Sequence, residues 1–583
     1  MNERPESFPL LTAQSGIHYA QQLAPGGTEF HTADVVEIDG ALDEERFERA
    51  LRRTVAEADT LRLRITEADG TPVQYPDPAH TLRLHRIDLR DHEAPEEEAG
   101  RRIAADLSRP ADLDAPDGLM TQALLRVGDT SYRWYQRVHH VAVDAYALTL
   151  IGNRVAELYA AGEQEAPECR FAPLRELVAE EQAYLAGEQY AADREFWTGR
   201  MAGAVPVTLA PPAGPGRDAV PAARPRRYAA RLPAGTVTRA AEAVRATWAE
   251  LVIAATAVHL HRLTGTRDVV LGLPVTNRRS PAALRTPAMT VNVLPLRLAV
   301  RPEDTAAELL RRVVLEIRQV RRHQRYPQAD LRRDLGLTAP TAPLTGPMVN
   351  IKPHDGAPLD LGGPSGTVRN LAAGPVEDLA VGAWPGPDDT ITLVLEAAAD
   401  RYTAADTDRY GATLLRCLDN LAALLLTDPH RPVATLDLLD EDGIRRVTAG
   451  RSEEPRTTTV PEEFAAQAAR TPDETAVRCG ADTLTFAELD AAADRLSHHL
   501  AAHGVGPETP VALALPRSTA MIAALLAVLK AGGVCQPLDL GHPPALRTAS
   551  RAAIMAVERG PPCSRSSRRA ASASPSTSAT RPP

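Results

Sequence analysis

An α/β fold follows from three stretches of the sequence in which strand and helix patterns succeed one another directly. Tyr132-Arg133-Trp134-Tyr135-Gln136-Arg137-Val138 reads as a half-buried strand and passes through His139 and His140 into a helix carrying Leu148, Ile151, Val155 and Leu158 on one face. Residues 32–39 form an extended segment with Val35, Val36 and Ile38. After a turn at Gly40, Asp43 can cap a helix bearing Phe47, Leu51 and Val55. Beyond a break rich in Pro, Gly and Ala near residues 206–225, an apolar helix is expected over 240–263, ending at Gly265 and leading to the strand Val269-Val270-Leu271. The second half thus repeats the alternating logic of the first.

With 583 residues the chain is long enough for several domains. Its net charge of -11 argues against nonspecific nucleic-acid binding. Lys352 and Lys530 are the only lysines, so positive charge is carried by arginine. No run of about 18 apolar residues occurs, and the first residues lack the basic and apolar regions of a signal peptide. A cytoplasmic protein with no membrane or nucleic-acid partner is expected. Cys169, Cys417, Cys479, Cys535 and Cys563 lack CxxC spacing, so no zinc ribbon is indicated.

The chemistry concentrates between residues 139 and 144. Adjacent extended residues point to opposite sides, so His139 and His140 do different work: one faces a channel while the other packs inward. A channel-facing imidazole can handle a proton near neutral pH. Asp144 can lock the loop or merely cap the following helix. Adjacent histidines without a third ligand do not match the one-face spacing of a zinc site, and no metal is expected. Gly-Xaa-Ser-Xaa-Gly is not found, which counts against a hydrolase.

His139-His140-Val141-Ala142-Val143-Asp144-Ala145 resembles the HHxxxDG signature of the condensation domain of nonribosomal peptide synthetases, with Ala145 where the family usually has glycine. Further stretches resemble that family in order and spacing over about the first 440 residues. They are Leu11-Thr12-Ala13-Gln14-Ser15-Gly16-Ile17, then Asp59-Thr60-Leu61-Arg62, which lacks the usual His-Glu pair, and Asp193-Arg194-Glu195-Phe196-Trp197. Gly272 to Arg278, Val291 to Leu296 and His323-Gln324-Arg325-Tyr326-Pro327 follow. Trp134 to His140, Leu331 to Leu335, Gly346 to Ile351 and Ala373 to Leu379 carry a particular likeness to the amino-terminal condensation domains of catecholate-siderophore synthetases.

The resemblance implies two chloramphenicol-acetyltransferase-like subdomains, at about 1–175 and 176–440, meeting in a V with a central tunnel. It implies amide formation between a donor acyl thioester, an aryl acid in the siderophore type, and the amine of an acceptor aminoacyl thioester. Both substrates are held on phosphopantetheine arms supplied by carrier proteins. The donor carrier is expected in trans, because the pattern begins almost at the first residue, and the acceptor is a peptidyl carrier protein. In the site, the resemblance makes His140 the channel-facing imidazole, acting as base or by positioning the amine and stabilising the intermediate. His139 becomes its inward partner, and Asp144 a buried carboxylate held bidentately by Arg278. Arg62 is a further structural support.

After a linker at 441–460 the character changes. Leu484-Thr485-Phe486-Ala487-Glu488-Leu489 and Leu529 to Asp539 resemble the first two motifs of an adenylation domain, with a helix through Leu496, Leu500 and Ala502 between them. That pattern spans 461–546 and contains no phosphate-gripping loop, so adenylation activity is expected to be absent. Residues 547–583, rich in Arg, Ser, Ala and Pro, read as a disordered tail, and because the adenylation pattern ends abruptly before it, an out-of-frame product of a frameshift is expected. The competing readings are a noncatalytic carrier-binding remnant and a coenzyme A-dependent acyltransferase.

Overall fold

The computed structural model of the chain describes residues 6–538 apart from 25, 112, 114–118, 163–166, 211–224, 338–341, 353–355, 387–388 and 450–456, together with the strand Ala553–Met555. The chain separates into two units, Met1–Arg445 and Arg446–Pro583.

The first unit is built on two six-stranded sheets. One runs in the order Pro358–Asp360, Ser365–Ala373, His31–Asp39, Ser131–His139, Met120–Arg126, Leu84–Asp88. Its central strands are antiparallel, with His31 opposite His139. Val36, Ile38 and Trp134 bury one face of this sheet against the helices Glu44–Glu57 and Ala145–Ala161. The Phe47 ring meets Trp134 edge to face at 5.2 Å. Asp43 caps its helix as the sequence implies, its carboxylate accepting from the Arg46 N–H at 3.0 Å.

The second sheet runs Asn292–Ala299, Asp268–Val275, Met348–Ile351, Leu379–Gly386, Thr390–Ala397, Arg226–Pro233. The helix expected over 240–263 is instead two, Ala234–Glu242 and Trp248–Thr264. The cause is a reciprocal cap: the Thr247 hydroxyl accepts from the Glu250 N–H, and the Glu250 carboxylate accepts from the Thr247 N–H at 2.7 Å. Arg245, at φ +61°, turns the chain between them. Gly265, also left-handed at φ +73°, ends the second helix.

The sheets do not follow the chain division expected near residue 175. Ser365–Ala373, from the second half, pairs antiparallel with Thr32 to Asp39 of His31–Asp39, and Pro358–Asp360 extends the same sheet. This covers an edge of backbone groups that His31–Asp39 would otherwise present unpaired. The residues expected to be linker after 440 begin with a helix, Glu441–Thr448, where the Asp440 carboxylate accepts from the Gly443 N–H at 2.7 Å.

In the second unit, Pro510–Leu513 pairs in parallel with Val534–Pro537 and with Ala553–Met555. The helices Phe486–Ala502 and Thr519–Lys530 bury Leu489, Leu500, Ala527 and Val528 with Val511. Ala553–Met555 lies inside the segment expected to be disordered, and its pairing corrects that expectation for these three residues. The rest of 547–583 lies outside the described residues. Among the described residues no helix is long and apolar enough to cross a membrane.

Candidate active site

The strand Ser131–His139 and the helix Ala145–Ala161 leave five residues between them, and most backbone groups of that loop are held. The His139 N–H donates to Leu119 O (2.7 Å), His140 N–H to Phe30 O (2.8 Å) and Ala142 N–H to His139 O (2.9 Å). The Ala142 carbonyl accepts from the Met289 N–H (3.1 Å) and the Val141 carbonyl from Gln14 Nε2 (2.9 Å). Both halves of the unit therefore grip one short loop.

The two histidines occupy opposite chemical situations. His139 is buried; its Nδ1 accepts from the Val141 N–H at 3.1 Å, so Nε2 carries the proton and donates to Gln21 Oε1 at 3.2 Å. Burial, with His31, His140, Arg137 and His18 nearby, pushes its pKa down to about 3. His139 is thus neutral with both ring nitrogens engaged. His140 is half-buried, and its Nδ1 lies 2.8 Å from Val143 O. A carbonyl only accepts, so in the neutral ring Nδ1 carries the proton and Nε2 presents its lone pair. Gly374, at φ +93°, lies beside that edge: a Cβ there would sit 3.4 Å from His140 Cδ2 and 3.7 Å from Nε2.

Asp144 is fully buried and does two things at once. Oδ1 accepts from the Ala147 N–H (2.8 Å), capping the helix, while both oxygens lie 3.0 Å from Arg278 Nη2. Oδ2 also accepts from the Thr290 N–H (3.1 Å), and the Thr290 hydroxyl shares its one proton between Oδ2 (3.2 Å) and the Thr276 carbonyl (2.8 Å). The expected bidentate fork is absent, because Arg278 Nη1 donates to the carbonyls of Ala283 and Thr286, both at 2.7 Å. Nη2 also donates to Ala288 O at 2.6 Å. One nitrogen is shared between the two carboxylate oxygens, and the guanidinium organises residues 283–288 as well. The Tyr146 ring centre lies 4.7 Å from its carbon.

Arg62 stands apart from this cluster. It donates to Asp59 Oδ1 at 3.2 Å, and among the described residues no hydrogen bond or ion pair links it to 139–144. The remaining motif residues are structural joints. Asn292 donates to Gln324 O (3.0 Å) and Tyr326 O (2.7 Å). Asp193 accepts from Tyr184 Oη and sits 2.7 Å from His323 Nδ1, and the His323 ring stacks on Phe196 at 3.8 Å. Sequence reasoning did not single out Gln14, Gln21, Thr290 or Gly374 as site residues. Gln14 and Gly374 lie within motifs already quoted, but no local pattern says where their side chains or backbone reach.

A histidine loop gripped from both halves of the unit, with one imidazole bonded through Nδ1 to Val143 O and a buried Asp144–Arg278 pair, is the arrangement that the resemblance to condensation-type acyltransferase domains implies. The condensation-domain family matches residues 5–446, and the AMP-binding enzyme family matches 464–554. The chain belongs to the condensation-domain family of nonribosomal peptide synthetases, a family of amide-forming domains, followed by part of an AMP-binding domain. The AMP-binding match extends beyond the expected limit of 546. The dimodular nonribosomal peptide synthase of Bacillus subtilis (strain 168) is 36% identical over 95% of this chain and 23% of its own length. For the isonitrile lipopeptide synthase of Streptomyces coeruleorubidus the figures are 36%, 91% and 36%. For the enterobactin synthase component F of Escherichia coli O157:H7 they are 32%, 92% and 42%. The chain thus spans less than half the length of these relatives. Among solved structures, the first condensation domain of the calcium-dependent antibiotic synthetase, in complex with substrate analogue 3a, has a TM-score of 0.67 and 36% identity. That likeness covers 75% of this chain and 99% of the other. A single-substitution mutant of the starter condensation domain of rhizomide synthetase, in complex with C8-CoA, has a TM-score of 0.68 and 34% identity over 74% and 98%.

Proposed function

We propose that the condensation domain of this chain joins a donor acyl group, held as a thioester on a carrier protein, to the amine of an aminoacyl thioester on an acceptor carrier. The amine attacks the thioester carbon, the N–C bond forms, and the tetrahedral intermediate collapses with loss of the donor arm's thiolate. The amine proton ends on the released thiol. The observation that carries this reading is the His140 ring, whose Nδ1 is committed to Val143 O and whose Nε2 faces away with a lone pair. That nitrogen accepts the amine proton or positions the amine. Asp144 and Arg278 hold the loop, and His139, neutral and fully bonded, supports it from within.

For the donor we propose an aryl acid delivered by a separate carrier, as part of siderophore synthesis; the similarity to enterobactin synthase component F supports it. A second donor class, a medium-chain acyl group, is favoured by the likeness to the isonitrile lipopeptide synthase and to a starter domain in complex with C8-CoA. The AMP-binding segment contributes no adenylation in this reading. Its Lys530 is held by Asp490 and Asp494 at 2.6 and 2.5 Å and serves the packing of its own helix. The reaction is cytoplasmic, and carrier proteins are the partners.

The test is the full chain with an acceptor carrier bearing an aminoacyl thioester and donor carriers bearing either a dihydroxybenzoyl or an octanoyl group. Amide from the aryl donor alone supports the siderophore assignment, and amide from the octanoyl donor alone overturns it in favour of the second. Equal turnover of free aryl-coenzyme A with a free amino acid contradicts carrier delivery. Carrier binding without product points to a remnant.

A further inference from the structure

We infer that Gln14 is a positioning residue for the reaction, acting through the Val141 peptide to hold the His140 ring in its Nδ1–H form; this rests on the reading of His140 as the working imidazole. Gln14 is fully buried in the first turn of the helix Thr12–Leu23, and every hydrogen-bonding position of its amide is used. Oε1 accepts from the Leu11 N–H (3.0 Å) and from Gln74 Nε2 (2.8 Å). Nε2 donates to Gln74 Oε1 (3.0 Å) and to Val141 O (2.9 Å). The Leu11 N–H can only donate, which fixes the amide's orientation and leaves Nε2 aimed at the loop.

The Val141 peptide is where the two histidines meet. The Val141 N–H, in the peptide that leaves His140, is bonded to His139 Nδ1, and the Val141 carbonyl, in the next peptide, is bonded to Gln14. With Gln14 in place, the turn from His140 to Val143 has the geometry in which Val143 O takes the His140 Nδ1 proton. Without the Gln14 donor, the Val141 carbonyl is left unpaired in a dry site, and the Val141–Ala142 peptide, held only through its Ala142 N–H on His139 O, tilts toward another donor. His140 then loses the contact that selects its tautomer. A fully satisfied buried amide on a different element is the kind of support that holds a reacting group to its geometry.

Gln14→Met keeps the volume and removes the donor. In the full chain carrying 15N-labelled histidine, long-range 1H–15N spectra, with His140→Ala assigning the resonance, report the tautomer without any turnover. Wild type is expected in the Nδ1–H form and Gln14→Met in a mixture with Nε2–H. Amide formation from loaded carriers should lose about tenfold in kcat with KM for both carriers unchanged, and the loss should vanish when His140 is already alanine. Gln74→Leu, which leaves the Leu11 and Val141 bonds of Gln14 intact, should keep the wild-type tautomer. If Gln14→Met is unfolded, Gln14→Glu above the carboxyl's pKa keeps the accepted bonds and lacks the donor. An unchanged tautomer in a folded Gln14 variant, or a kcat loss equally large in the His140→Ala background, overturns the inference. A shifted tautomer in a protein that makes no amide even as wild type upholds the positioning and sinks the proposed reaction instead.

Discussion

Arg278 reaches Asp144 with a single nitrogen. Nη2 lies 3.0 Å from each carboxylate oxygen, while Nη1 is bound to the carbonyls of Ala283 and Thr286. The pair is dry, with both side chains almost wholly excluded from solvent. The arginine therefore joins the histidine loop of one half to residues 283–288 of the other, and the carboxylate is supported independently by Ala147 and Thr290.

Asp144→Ala should consequently destabilise the first unit by about 3–5 kcal/mol, since it leaves a buried guanidinium with no counter-charge. Arg278→Lys should lie between wild type and Asp144→Ala, because one ammonium can keep the carboxylate but not both sets of carbonyls. Urea unfolding measures this. Unchanged stability in Asp144→Ala would show that the pair does not hold the halves together.

His139 sets a pH dependence of stability. Its folded pKa, about 3, is below that of an exposed imidazole, so the unfolded chain binds more protons between about pH 6.5 and 3. Stability is therefore full above that window and falls as the pH drops through it, on the order of 1 kcal/mol per pH unit. His259, pushed by burial to about 4, adds in the same direction. His139→Gln should flatten the decline between about pH 6.5 and 4.5, measured by urea midpoints, and an identical slope would contradict the assignment of a neutral His139.

Thr247→Ala should destabilise by about 1 kcal/mol, because the Thr247–Glu250 cap starts the helix Trp248–Thr264. Activity per folded molecule should not change. A melting curve superimposable on wild type would argue that the break between the two helices has another cause.

What the sequence disclosed was mostly local. The strand, loop and helix around His139 were legible because alternation, the capping aspartate and the apolar face of Leu148, Ile151 and Val155 each have a short-range signature. Thr247-Trp248-Ala249-Glu250 carried an equally local signal, and it was outweighed by the apolar run on either side. Pairing of Ser365–Ala373 with His31–Asp39 was not legible, since strands more than three hundred residues apart leave no mark in either segment. The Asp144–Arg278 contact was expected through family resemblance, not periodicity, and its one-nitrogen geometry depends on carbonyls whose positions only the folded chain fixes. Arg62 illustrates the reverse: a matching motif residue whose ion pair with Asp59 serves its own turn.

The central claim is that His140 works through Nε2 on carrier-bound substrates. It is tested most directly by single-turnover amide formation with both loaded carriers, comparing the full wild-type chain with His140→Ala. The account predicts product from wild type and a rate lower by roughly 10² to 10⁴ in the variant, with the same melting temperature and the same affinity for both carriers. Equal rates in the two proteins, or wild type that binds both carriers and forms no amide, would contradict it.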